Sequence, residues 1–137
     1  ITDRTRVVAI QRSRGYAWRP SVPIQEIGRA AAWLHEASPG LIVFVDNCYG
    51  EMVELQEPIE IGADCVAGSL IKNLGGTVAP TGGYLAGAKD LVDKALIHAT
   101  APGICGHQGA TLGGTRSLAQ GLFFSPLIVG QALEGAI

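Results

Sequence analysis

Charge is scarce in this sequence, and long apolar runs are missing. Only 16% of the 137 residues are charged, the net charge is −2, and no stripe of lysine or arginine occurs. Nucleic-acid binding depends on clustered basic residues, so we expect no nucleic-acid partner. No apolar run approaches the roughly 20 residues that span a bilayer, and no signal peptide is visible. We therefore expect no membrane partner and a cytoplasmic location.

Cysteine and histidine are also few. The cysteines are odd in number and widely separated, and the histidines lack HExxH or HxxxH spacing: Cys48, Cys65, Cys105, His35, His98 and His107. Such a pattern is not typical of a disulfide framework or of a zinc site. We expect free thiols in a reducing compartment and no bound metal.

Hydrophobic residues, by contrast, make up 47% of the chain. This is rich for a domain of this length, whose large surface normally requires more polar residues. The surplus indicates either surface buried against other chains or a piece of a larger protein. We favour the piece, because the sequence begins with Ile1 and ends inside the helix-like run 134–137.

The order of the predicted elements indicates an α/β fold. Apolar runs and helical spacing predict strands at 6–10, 41–45, 63–69 and 83–87, and helices at 23–37, 89–99 and 118–136. Pro126 is expected to kink or divide the last helix. A strand, a helix and a strand within 6–45 form a βαβ unit, which implies a mostly parallel sheet with helices on both faces. No boundary divides residues 1–137.

Asp46 and Lys72 are the residues most suggestive of chemistry. Asp46 ends a buried strand, and ligands of open α/β sheets bind at the carboxyl ends of strands. A loop-fixing carboxylate is the alternative. Lys72 has apolar neighbours, and partial burial is expected to lower its pKa and favour the neutral amine that Schiff-base chemistry needs.

Together these residues suit pyridoxal 5′-phosphate (PLP). That cofactor needs a lysine for its aldehyde, an acid beside its pyridinium nitrogen, and hydroxyl, N–H or Arg donors for its phosphate. Lys72 and Asp46 supply the first two, and the Ser69 hydroxyl is a candidate for the phosphate.

Several stretches carry a family resemblance: 45–51 (VDNCYGE), 62–64 (GAD) and 67–73 (AGSLIKN), with flanking loops at 10–21, 79–87 and 100–104. Together they resemble the methionine γ-lyase-like family once labelled aluminium resistance proteins, which is related to cystathionine β- and γ-lyases. The resemblance implies the fold-type I, aspartate aminotransferase-like architecture, with this chain in the central to C-terminal part of the large PLP-binding domain. It also implies a homodimer or homotetramer with sites at the subunit interface.

The resemblance assigns the aldehyde lysine to Lys72, the pyridinium partner to Asp46 and a phosphate-binding serine to Ser69. The chain departs from the wider lyase group at Ile71, where that group often has Thr, and at Cys48-Tyr49, which follow the Asp-Asn pair in place of Thr. Leu74 replaces a proline usual in the family. Tyr49 is a candidate for contact with the ring or substrate, with packing as the alternative.

An arginine-rich loop follows the first strand. Guanidinium groups there suit capture of a phosphate or a substrate carboxylate, with structural ion pairs as the alternative for each: Arg12, Arg14 and Arg19. We select Arg14, because Gly15 beside it permits close backbone approach. Weaker candidates are Ser13 and Tyr16, for the PLP ring hydroxyl, and His107. Trp18 and Trp33 are expected to be packing residues.

The resulting hypothesis is a PLP-dependent carbon–sulfur lyase acting on an amino-acid substrate of the cystathionine or methionine type. Two alternatives remain open at this point. One is another fold-type I enzyme, such as an aminotransferase, racemase or aldolase. The other is a non-catalytic unit for structure or oligomerisation. The phosphate-binding glycine loop, the ring-stacking aromatic and the substrate-carboxylate arginine are expected outside 1–137, so we expect this chain alone to be inactive.

Overall fold

The computed structural model describes all 137 residues, in four strands and three α-helices. The strands are β1 (Val7–Gln11), β2 (Ile42–Asp46), β3 (Cys65–Ser69) and β4 (Gly83–Gly87). The helices are α1 (Ile24–Ala37), α2 (Lys89–Ala99) and α3 (Thr115–Glu134). Short 3-10 helices occupy Pro58–Ile61, Asn73–Gly75 and Cys105–His107. No helix combines the length and the apolar character needed to cross a membrane.

The strands form one sheet in the order β1-β2-β3-β4. β1, β2 and β3 run parallel, whereas β4 returns antiparallel to β3. The register sets Gln11 opposite Asp46, and Asp46 opposite Ala67. The carboxyl ends of β1, β2 and β3 therefore meet at one edge, as the mostly parallel prediction requires.

The hydrophobic core lies between α1 and one face of the sheet. Residues at helical spacing on α1 are buried against alternate residues of the strands: Ile24, Ile27, Ala31, Leu34, Val43, Val45 and Val66. Burial of each large aliphatic side chain contributes roughly 1.5–3 kcal/mol. Because strand residues alternate between faces, Val43 and Val45 face this core and their neighbours in β2 are only half-buried. Within this chain the core is one-sided.

α3 is a single helix that continues through Pro126, so the expected division does not occur. Proline lacks the N–H that would bond to the Leu122 carbonyl four residues back. The Ser125 hydroxyl donates to that carbonyl oxygen instead, at 2.9 Å, and so satisfies the acceptor.

α3 lies against the turn that follows β3. A Cβ built on Gly121 would lie 2.3 Å from the Gly75 carbonyl oxygen, and one on Gly76 would lie 2.3 Å from the Gly121 carbonyl oxygen. Only glycine permits this approach of two backbones. The helix is therefore seated on the turn that begins directly after Lys72.

The Pro58–Ile61 3-10 helix was not predicted. Glu57 and Glu60 form a capping box, and Pro58 occupies the first turn. Both features are local signals of a helix start, so the sequence Glu57-Pro58-Ile59-Glu60 contained the information.

Candidate active site

Asp46 and Ser69 lie at the edge where the parallel strands end. Asp46 closes β2 and Ser69 closes β3, and both line a cavity of about 350 Å³ together with Phe44 and Cys48. Asp46 Oδ1 accepts a hydrogen bond from the Cys48 N–H at 3.1 Å. Ser69 Oγ accepts one from the Ile71 N–H at 3.3 Å, which leaves the hydroxyl hydrogen free to donate. A carboxylate and a hydroxyl therefore share one cavity.

Lys72 follows three residues after Ser69 and is half-buried. Its Nζ lies 4.7 Å from the centroid of the Tyr49 ring, in cation–π geometry. Lys72 and Tyr49 line a second cavity, of about 330 Å³, whose other wall is α3. The lysine and the Asp46–Ser69 pair therefore line different cavities.

The expectation of a lowered pKa for Lys72 is wrong for the chain as it stands. Burial does lower the pKa, but hydrogen bonding to Cys48 and the charge of Asp46 outweigh it, so that the pKa lies above its ordinary value. Sequence inspection registered the apolar neighbours of the lysine and missed the anionic ones, which are brought close only by the fold.

The Cys48 thiol responds to both the acid and the amine. Burial raises the pKa of this thiol, interaction with Asp46 raises it further, and interaction with Lys72 lowers it.

Tyr49 adopts a left-handed backbone conformation, with φ +67°. A bulky residue in this region costs about 1–3 kcal/mol and persists only where the surroundings enforce it. Tyr49 also lines a third cavity, of about 530 Å³, that contains Ser13, Arg14 and Val53. Its ring therefore borders both the Lys72 cavity and the Arg14 cavity.

The three arginines of the loop after β1 have different surroundings. Arg12 is 3% exposed, and its guanidinium donates to Asn47 Oδ1 at 2.8 Å, to the Gly50 carbonyl at 3.0 Å and to Glu54 Oε1 at 2.8 Å. Arg19 donates to the carbonyl oxygens of Gln11 and Ser13 in its own loop. The side chains of Arg12 and Arg19 are therefore used in contacts within the chain, not in capture of a ligand.

Arg14, the arginine selected from sequence, is exposed and forms no side-chain hydrogen bond or ion pair within the chain. Its guanidinium carbon lies 5.2 Å from the centroid of the Trp18 ring. A cation at a cavity mouth, with its donors unused, is available to an anionic group.

A buried polar network was missed by sequence inspection. Asn47 donates to Glu57 Oε2 at 2.9 Å and to Tyr84 Oη at 3.3 Å, and Tyr84 donates to Glu51 Oε1 at 2.8 Å. Burial raises the pKa of the Glu51 carboxyl, and the hydrogen bond from Tyr84 partly offsets the effect. The sequence signal for this network is a series of three acids, each three residues apart, after the end of β2: Glu51, Glu54 and Glu57.

The weaker candidates Tyr16 and His107 do not line the cavities that contain Asp46, Ser69 and Lys72. Tyr16 is fully exposed, and His107 is exposed in the Cys105–His107 turn. The two tryptophans do not pack in the core as expected, since Trp18 is 96% exposed and Trp33 is 62% exposed. Trp18 instead stacks with Arg14, and Trp33 lies on the outer side of α1. His35, on the same helix, pairs with Asp64 at 2.9 Å.

Comparison with known proteins identifies the family. The family model for methionine gamma-lyase matches residues 1–137, the whole chain. The chain belongs to the methionine gamma-lyase family. The resemblance found in the sequence is thereby confirmed.

Close relatives within the methionine gamma-lyase family share about half of the residues. The uncharacterised Bacillus subtilis protein YnbB is 49% identical over 137 residues, which is 100% of this chain and 32% of YnbB. A Listeria monocytogenes protein, provisionally named a cystathionine beta-lyase involved in aluminium resistance, has TM-score 0.94 and 51% identity over 99% of this chain and 34% of that chain. The carbon–sulfur lyase involved in aluminium resistance from Clostridium novyi has TM-score 0.87 and 49% identity over 95% of this chain and 30% of that chain.

The chain therefore spans about a third of the length of these relatives. A more distant structure, the pyridoxal-5′-phosphate-dependent protein YhfS from Escherichia coli, has TM-score 0.64 and 18% identity over 94% of this chain and 32% of that chain. At that identity the likeness concerns the fold alone. It confirms the predicted fold class, an α/β fold with a mostly parallel sheet flanked by helices.

Proposed function

We propose that the protein containing this chain is a PLP-dependent carbon–sulfur lyase that acts on sulfur amino acids of the cystathionine or methionine type. The observation that carries the proposal is the position of Asp46 and Ser69 at the carboxyl ends of β2 and β3, with the Lys72 amine three residues further on and over the Tyr49 ring. Membership in a family with relatives named as carbon–sulfur lyases supports the reaction class.

The donor set of the site fits the cofactor. Lys72 supplies the amine for the aldehyde, and Asp46 a carboxylate that can accept a hydrogen bond from a protonated ring nitrogen. The free Ser69 hydroxyl hydrogen suits a phosphate oxygen. Arg14 offers an unpaired guanidinium for the phosphate or the substrate carboxylate. Tyr49, at the border of two cavities, is placed to touch the ring or the substrate.

When bound, PLP supplies an electron sink for the carbon that carries the substrate amine. Two residues of this chain would act in the proton transfers. Asp46 would accept a hydrogen bond from the protonated ring nitrogen and so favour its protonated form. Lys72 must first lose the proton that Cys48 and Asp46 favour, and as a neutral amine it then takes a proton from the α- or β-carbon of the substrate.

We further propose that the intact protein works in the cytoplasm as a homodimer or homotetramer, as the family resemblance implies. The one-sided core of this chain is compatible with further surface being covered by other parts of the assembly.

The test adds PLP to the intact protein and compares Lys72→Ala with Lys94→Ala. Lys94 lies on the exposed side of α2, paired with Asp90 at 3.8 Å, and provides a matched control. We expect the Schiff-base absorbance band in the wild-type and Lys94→Ala proteins, and its loss in Lys72→Ala. An unchanged band in Lys72→Ala, or no band in the wild-type protein, would reject Lys72 as the cofactor lysine.

The reaction class needs a separate assay. Thiol release from cystathionine or methionine by the wild-type protein is the expected result. Transamination or racemisation without thiol would reject the lyase in favour of another fold-type I enzyme, and binding of PLP without any turnover would favour a non-catalytic unit.

A further inference from the structure

The segment 49–51 and the residue pair 72–73 contact each other at two points. Lys72 Nζ lies over the Tyr49 ring at 4.7 Å, and Asn73 Nδ2 donates a hydrogen bond to the Glu51 carbonyl oxygen at 2.9 Å. The two contacts are made by adjacent residues, so the second one restricts the position of the first.

The segment 49–51 is itself held firmly. The Gly50 N–H donates to the Asn47 carbonyl at 2.8 Å, and the Gly50 carbonyl accepts from Arg12 at 3.0 Å. A Cβ on Gly50 would lie 2.4 Å from Arg12 Cδ, so the guanidinium packs directly on the backbone. These bonds keep Tyr49 in its left-handed conformation and fix the Glu51 carbonyl as an acceptor.

The Glu51 side chain anchors the same segment from the other direction. It is 2% exposed, and its Oε1 accepts from the Tyr84 hydroxyl of β4. The space exists because residue 68 is glycine, where a Cβ would lie 2.3 Å from both Glu51 Oε1 and Tyr84 Cε1. The Glu51 carbonyl is therefore a fixed point relative to the sheet.

We propose that Asn73 is a positioning residue for Lys72. Its amide ties the turn after Lys72 to the Glu51 carbonyl and thereby holds the lysine amine over the Tyr49 ring, where the amine would be available to the aldehyde of the cofactor. This inference rests on the proposed role of Lys72. The assigned role of Asn73 is indirect, since the contact on which it rests is the hydrogen bond from its amide to the Glu51 carbonyl.

The first measurement uses the intact protein without cofactor. Asn73→Leu keeps the branching and the number of heavy atoms of the side chain and removes the amide, and Gln25→Leu, on the exposed side of α1, is the control. Acylation of Lys72 by acetic anhydride is followed by mass spectrometry across pH, with Lys94 as internal reference. Because Asn73→Leu frees the amine from Cys48 and Asp46, a larger fraction of the Lys72 amine should be neutral, and Lys72 should react measurably faster than in the wild type at fixed pH.

The second measurement is the rate of band formation at saturating PLP. In Asn73→Leu the band should form severalfold more slowly. The amine is more often neutral in this variant, but it is less often held over the Tyr49 ring. Asn73→Gln, which retains an amide donor, should move both rates back towards the wild type.

Faster acylation of Lys72 together with slower formation of the PLP band in Asn73→Leu supports the positioning role of Asn73. Unchanged acylation of Lys72 in a folded Asn73→Leu protein, or equal effects of Gln25→Leu, would overturn it. If the leucine variant does not fold, Asn73→Ser gives the same two readouts with the same expected directions. Acylation is measured without cofactor, so a wild-type protein that forms no PLP band would refute the proposed function while leaving the position of the amine separately tested.

Discussion

The contrast between Arg12 and Arg14 yields a prediction with a built-in control. Both arginines lie in the loop after β1, but one is buried in hydrogen bonds and the other has none. We expect Arg12→Leu to destabilise the protein strongly and Arg14→Leu to leave its stability almost unchanged.

The expected loss of stability in Arg12→Leu depends on which buried groups lose a hydrogen-bond partner. Removal of one partner from a buried ion pair costs about 3–5 kcal/mol. Glu54 would keep its bond from the Ile24 N–H at 3.0 Å, and Glu57 would keep those from Asn47 and Met52, so neither carboxylate is left without a donor. The Gly50 carbonyl does lose its guanidinium donor. We therefore expect the lower end, about 3 kcal/mol, which is a large part of a typical unfolding free energy of about 5–15 kcal/mol.

Urea unfolding followed by circular dichroism, on the intact protein without cofactor, measures both variants. Arg14→Leu should stay within about 0.5 kcal/mol of the wild type, because Arg14 is exposed and its only contact of note is with the exposed Trp18 ring. It should nevertheless weaken PLP or substrate binding, which titration can measure. An Arg12→Leu loss below about 1 kcal/mol, or equal losses for the two variants, would refute the division into a structural and a free arginine.

Two further predictions concern the surroundings of the site. Burial raises the pKa of Glu51 in the folded state, so the stability that the protonated carboxyl contributes is present below the unfolded-state pKa and is lost as the pH rises through the folded-state pKa. Glu51→Gln should therefore gain stability relative to the wild type between pH 4 and pH 7 in urea unfolding. The same gain in Glu36→Gln, at an exposed position on α1, would contradict the assignment to burial. Gly121→Ala should cost about 1–3 kcal/mol, because its Cβ would meet the Gly75 carbonyl oxygen at 2.3 Å, while Gly130→Ala on the same helix meets nothing and should be neutral or stabilising; equal thermal shifts for the two variants would count against the close seat of α3.

Much of the fold could be predicted because its signals are local. The apolar runs before Asp46 and Ser69 gave β2 and β3, and the helical spacing from Ile24 to Leu34 gave α1 to within one residue. The position of Asp46 and Ser69 at one edge then followed from the parallel arrangement of the strands.

The electrostatics could not be predicted, because they depend on residues distant in sequence. Nothing near Arg12 indicates that Asn47 and Glu54 will surround it, or that Arg14 two positions later will have no partner. The pKa of Lys72 was expected to fall for the same reason, since Cys48 and Asp46 come close to it only when β2 and β3 pair.

The buried network connects stability to the orientation of Lys72. Tyr49 is held at φ +67° at a cost of about 1–3 kcal/mol, which the contact of its ring with Lys72 offsets only in part. The rest of the offset comes from the neighbouring residue, whose carbonyl accepts a charge-assisted bond from Arg12 at 3.0 Å. Since the Tyr49 ring is the surface on which Lys72 Nζ rests, the guanidinium of Arg12 acts on the lysine without touching it. A buried arginine that reads as purely structural thus maintains the conformation on which the candidate chemistry depends.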